Sequence, residues 1–131
     1  RHHHARLVEY ARWVERKAPP QSIVITTDER IFFSYFTELK AIGRPCLTTP
    51  DCKEDLQAFQ KKLDDYLENG YSVFITWPGM YAGDIHRQYQ NFILSQYDVY
   101  LSGAHLYEDW HAGELDLQIY HFPLFQLTPK S

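Results

Sequence analysis

Two short runs put carboxylates, hydroxyls and aromatic rings where a polar ligand could be held. Thr26-Thr27-Asp28-Glu29 supplies two hydroxyls and a pair of acids. Paired carboxylates do acid or base work, or hold a divalent cation through hard oxygen ligands. The second run is Trp77-Pro78-Gly79-Met80-Tyr81, with Gly83 and Asp84 behind it. Its rings can stack on the C–H face of a pyranose, and its acid can accept from sugar hydroxyls. The same residues also have plain structural duties. Asp28 and Asp84 suit helix N-caps, Glu29 suits an exposed first-turn acid favoured by the helix dipole, and the Trp77 and Tyr81 rings suit a plug over a sheet end.

A third group, His105, Glu108, Asp109 and His111, crowds one segment beside Tyr107 and Trp110. These are the atom types of a zinc or acid/base site, and His105, Asp109 and His111 are candidate ligands by type. Their spacing matches no metal motif such as His-Glu-x-x-His, so no metal or other cofactor is expected. Cys46 and Cys52 are separated by Leu47-Thr48-Thr49-Pro50-Asp51, a loop able to bring them together. A disulfide and two free thiols both fit, and a disulfide would place the chain in an oxidising compartment. No glycine-rich phosphate loop, Gly-x-Gly-x-x-Gly, Gly-x-Ser-x-Gly or Cys-x-x-Cys is present. Nucleotide hydrolysis, dinucleotide binding, esterase and thioredoxin-like chemistry therefore draw no support, and no catalytic residue is assigned.

The elements that must position these residues follow from periodicity. Arg1-His2-His3-His4 reads as an arm or tag remnant outside a single domain over 5–131. Leu7, Val8, Tyr10, Ala11 and Val14 recur at spacings of three and four, predicting a helix over 5–17 that Pro19-Pro20 ends. Ile23-Val24-Ile25-Thr26 is β-branched and apolar on both faces, as in a central strand covered on both sides. Asp28 then predicts a helix over 29–41 with Phe32, Tyr35, Phe36 and Leu39 inward, closed by Gly43 and followed by an extended segment over 44–48. A helix beginning near Thr49-Pro50-Asp51 buries Leu56, Phe59, Leu63, Tyr66 and Leu67 until Asn69-Gly70. Tyr71 to Trp77 is a strand ended by Pro78-Gly79, and Asp84 caps a helix reaching Ser95. A strand over 97–101 breaks at Ser102-Gly103-Ala104, and 105–113 reads as a polar and aromatic loop. The alternation of Leu115, Leu117 and Ile119 with polar residues marks an edge strand that Phe122 to Leu127 extends.

Helices alternating with strands predict an α/β fold, a three-layer Rossmann-like sandwich with a mostly parallel sheet and an antiparallel C-terminal edge. The ends of its strands are where ligands bind in open α/β sheets, which is where Asp28 and Asp84 fall. A length of 131 residues suits one domain. With a net charge of -4, a pI near 5.9 and scattered basic residues, nucleic acid is not an expected partner. An aromatic share of 16% exceeds what the core pattern uses, which points some rings toward a groove or an interface. No run is apolar for the ~18 residues that spanning a bilayer needs, and a spanning segment elsewhere in a longer protein stays open.

The leading helix, its proline turn, Ser22-Ile23-Val24-Ile25-Thr26-Thr27-Asp28 and the following Tyr35-Phe36 together resemble the extramembrane α/β domain of polytopic type C glycosyltransferases. The Gly70 to Ile75 and Leu115 to Phe122 segments are similar in placement. The resemblance implies a domain on the periplasmic or extracytoplasmic side of a membrane protein that moves sugars from lipid-linked donors. Its partners would be the membrane-embedded portion of the same polypeptide and a glycan or lipid-linked sugar. The family's catalytic acids lie on its membrane portion, so none transfers to this chain, and the domain would act as an accessory or ligand-binding part. Two other readings stand beside it: a free-standing α/β enzyme using Asp28, Asp84 and His105 or His111 on a small polar substrate, and an interaction module presenting aromatic loops.

Overall fold

The computed structural model describes residues 2–27, 29–45, 51–84, 87–111 and 116–131, with backbone alone for 2–4, 107–111 and 116–120. Among the described residues ten elements follow in order: α1 (His2–Lys17), β1 (Ser22–Thr26), α2 (Arg30–Phe36), β2 (Lys40–Gly43), α3 (Lys53–Glu68), β3 (Ser72–Thr76), α4 (Trp77–Tyr81), α5 (Gln88–Gln96), β4 (Tyr97–His111) and β5 (Asp116–Pro129). The strands form one mixed five-stranded sheet in the order β2-β1-β3-β5-β4. β1 pairs in parallel with β2 and β3, whereas β5 runs antiparallel to both β3 and β4.

Strand alternation divides the core. Ile23, Ile25, Val73, Ile75 and Leu127 pack with Phe59 and Leu63 of α3 and Tyr89 and Ile93 of α5. Val24, Phe74 and Leu124 pack with Tyr10, Ala11 and Val14 of α1 and Phe33 of α2. Successive residues of β1 and β3 thus enter different clusters, as a period of two requires, and all five residues of β1 are buried. Each large aliphatic side chain so enclosed stabilises the fold by roughly 1.5–3 kcal/mol.

Several boundaries differ from the sequence-based expectation, each for a physical reason. α1 begins at His2, ahead of the expected start at Ala5. α2 stops at Phe36 because Thr37 turns extended, and its hydroxyl donates to the Phe33 carbonyl (2.7 Å) while accepting from Leu39 N–H (3.1 Å). The freed segment over 40–43 pairs with β1 as β2, four residues before the expected extended segment over 44–48. Arg44 and Pro45 lie beyond that strand, and 46–48 lie outside the described residues. Tyr35 and Phe36, expected inward, are exposed, and Phe33 fills the core in their place.

At the other end of the chain, the expected loop from His105 is β4 as far as His111, which passes Ser102 through a bulge between Leu101 and Gly103. β5, expected at the edge, is interior between β3 and β4, and β4 is the edge. α4 is a helix where Pro78-Gly79 predicts a plain strand end. Pro sits in its first turn, and the Thr76 hydroxyl accepts from Gly79 N–H (2.9 Å).

Candidate functional site

The parallel strands β1, β2 and β3 end together at Thr26, Gly43 and Thr76, and the residues just beyond them meet beneath α4. Thr26 is buried, and its hydroxyl donates to the Ile42 carbonyl (3.1 Å), tying β1 to β2. Glu29 is only 4% exposed, against the expectation of an exposed first-turn acid. Its carboxylate accepts from the Thr27 backbone N–H (3.1 and 3.2 Å to the two oxygens), the Thr27 hydroxyl (2.7 Å) and the Thr76 hydroxyl (2.7 Å). A buried carboxylate needs such donors to replace water, and here the residue just past β1 and the last residue of β3 supply them. Asp28, the other acid of that pair, lies outside the described residues. Glu29 itself sits at the N-terminal boundary of α2 and forms no side-chain cap.

A cavity of about 250 Å³ opens above this carboxylate, with Thr27, Glu29 and Trp77 on its walls. α1 adds Leu7 and Tyr10, and β5 adds Phe122. Trp77 stacks on Phe122 with ring centroids 5.8 Å apart and an 11° interplanar angle, yet keeps 45% of its surface open. The Tyr10 hydroxyl donates to the Pro123 carbonyl (2.7 Å) and accepts from Trp77 N–H (3.3 Å), locking the helix and the hairpin around the opening. The result is an apolar, ring-walled pocket whose described lining carries one carboxylate, Glu29, and the hydroxyl residues Thr27 and Tyr10.

The other candidates fall elsewhere. Tyr81 meets Phe125 edge-on at 6.0 Å and does not line this cavity. Asp84, also outside it, is buried, and its carboxylate accepts from Tyr89 N–H (3.3 Å) and Gln90 N–H (2.9 Å) at the start of α5. His105 stacks on Trp13 of α1 at 5.4 Å, away from the strand ends. Burial lowers its pKa from 6.5, Glu9 opposing and Arg16 adding to the effect. The side chains of Glu108, Asp109 and His111 lie outside the described residues. Among the described residues no group of three or more His, Cys, Asp or Glu could hold a metal ion. Cys52 is buried and disulfide-bonded, and its N–H donates to Gln88 Oε1 (3.3 Å). Cys46 lies outside the described residues.

Two residues of this opening, and one buried residue near it, had no motif to announce them. Tyr10 and Phe122 carry ordinary core periodicity, and only the packing of α1 against the hairpin brings them to the opening. Arg44, one residue past β2, is 5% exposed, with its N–H on the Thr26 carbonyl (3.1 Å) and its Nη1 donating to the Met80 carbonyl (3.2 Å). Burial lowers its pKa, against the opposing influence of Tyr89, Asp84 and Glu29. Its position next to the C-terminal glycine of a parallel strand was the available signal.

Comparison with known proteins finds no matching family model, no matching curated protein and no matching solved structure. The functional reading therefore rests on the site. Among the described residues no helix is long and apolar enough to cross a membrane.

Proposed function

We propose that this chain is a noncatalytic carbohydrate-binding domain, accessory to a membrane-embedded glycosyltransferase-like portion of the same polypeptide in glycan or glycolipid assembly on the extracytoplasmic side. Its fold is read as a three-layer Rossmann-like sandwich, with the site at the strand ends. One observation carries the proposal: a half-open Trp77 ring, backed by Phe122, faces a cavity that also holds Thr27 and the buried Glu29 carboxylate. A pyranose needs an apolar face for its C–H groups and one or two acceptors for its hydroxyls, and this wall supplies both. The same carboxylate is a poor general acid or base, because three donor groups already engage it.

The test is titration of the folded domain with mono- and oligosaccharides, following the Trp77 indole N–H by NMR. The expected result is a saturable shift there and at the Thr27 amide, and Trp77→Ala should abolish the Thr27 response with little change in stability. If no sugar of the panel moves that resonance at millimolar concentration, the carbohydrate reading is wrong. Sequencing the whole gene product tests the membrane assignment, which a protein lacking spanning helices would overturn.

A second reading, a free-standing enzyme acting on a small polar substrate, draws support from Thr27 and Glu29 meeting Trp77 on a single cavity. It requires turnover of a small polar substrate by this domain, and no turnover across a panel of such substrates would remove it.

A further inference from the structure

A second site is built around Arg44. Its guanidinium lies 4.8 Å over the face of the Tyr89 ring, and Nη1 is engaged by the Met80 carbonyl. Nε and Nη2 are buried and have no hydrogen-bond partner among the described residues, and the buried Tyr89 hydroxyl also has none. Buried donors without acceptors are rare, because each forfeits its hydrogen bonds to water without replacement. A guanidinium remains charged at neutral pH even where burial opposes it, so it cannot escape by losing its proton.

The identity of the two idle nitrogens specifies the missing group. Nε–H and one N–H of Nη2 point the same way along one edge of the planar guanidinium, and that edge matches two oxygens of a carboxylate or phosphate in a bidentate fork. A carbonyl or a single water offers one oxygen to both donors, a poorer match to two parallel N–H groups than the paired oxygens of an oxyanion. The neighbouring carboxylates are committed elsewhere: Glu29 to Thr27 and Thr76, Asp84 to the N–H groups of α5. Beside Arg44 a surface cavity of about 370 Å³ is also lined by Phe59 and Lys62, with Asp55 as the one acid among its described lining residues.

We propose that Arg44 is the anchor of an oxyanion-binding site, taking the phosphate or carboxylate group of a small ligand through its Nε and Nη2 edge. The ligand enters from the cavity that Arg44 and Lys62 share. This site is separate from the Trp77 cavity, which Arg44 does not line, so each stands or falls without the other.

The experiment compares thermal unfolding of the wild-type domain in inorganic phosphate and in sodium chloride of equal ionic strength, with NMR of the Arg44 Nε–H. Parallel arms use a hexose 1-phosphate and glucuronate, which distinguish a free anion from one carried on a sugar as phosphate or as carboxylate. The expected result is a phosphate-specific rise in midpoint of roughly 3–5 °C near saturation, with a downfield shift of the Nε–H. Arg44→Met, which replaces a buried charge by an apolar side chain, should fold and lose the phosphate effect. Arg44→Lys, which keeps the charge but lacks the fork, should bind about tenfold more weakly. Equal midpoints in phosphate, hexose 1-phosphate, glucuronate and chloride would overturn the proposal. So would an equal phosphate effect in Arg44→Met or, if that variant does not fold, undiminished binding by Arg44→Lys.

Discussion

Glu29 sets the chemistry of the strand ends, since its burial is offset by the Thr27 N–H and the hydroxyls of Thr27 and Thr76. Replacing it with Gln keeps the shape but turns one acceptor into a donor that faces donors. We expect Glu29→Gln to lose about 1–3 kcal/mol in urea unfolding. Thr76→Val should lose a similar amount, because its hydroxyl both donates to Glu29 and caps α4. His105 makes a pH-dependent contribution of known sign. Its folded pKa lies below 6.5, so the unfolded chain takes up its proton first as the medium acidifies. Stability from this residue is therefore complete above pH 6.5 and declines as pH falls from there toward the folded pKa. Urea midpoints measured across that window should flatten in His105→Asn, whereas an unchanged slope would exclude this residue as the source.

At the scale of the element, α4 depends on the absence of a side chain. A Cβ on Gly79 would collide with the Ile25 carbonyl oxygen of β1, which is backbone and cannot swing aside. Gly79→Ala should therefore cost about 1–3 kcal/mol by overpacking. It should also disturb Trp77 and weaken the ligand response at that cavity, readable in the same indole resonance. The short length of α2 has a comparable local cause in Thr37, yet the helical pattern over 29–41 concealed it. Apolar residues at Phe32, Tyr35, Phe36 and Leu39 satisfy helical spacing, and only pairing with β1 shows that 40–43 serves the sheet better. The resulting α2 leaves Tyr35 83% exposed beside Ile31 and Phe36.

For the whole molecule, the hairpin of β4 and β5 closes the sheet and reaches back over α1 through Tyr10, Trp13, His105 and Phe122. The Cys52 disulfide adds a covalent restraint at the start of α3. Reduction should lower the unfolding free energy by about 2 kcal/mol, seen as a lower urea midpoint in dithiothreitol than in its absence. The alternation of helices with strands, the doubly buried β1 and the position of Thr26, Thr27, Glu29 and Trp77 at strand ends were legible in the chain. They depend on periods of 3.6 and 2 and on turn residues, which act over a few positions. The interior place of β5, the burial of Glu29, the contribution of Tyr10 and Phe122 to the opening and the idle edge of Arg44 were not. Each is settled by groups tens of residues apart in the chain, as when Thr76 meets Glu29, and local patterning carries no record of which distant partner will satisfy a buried polar group.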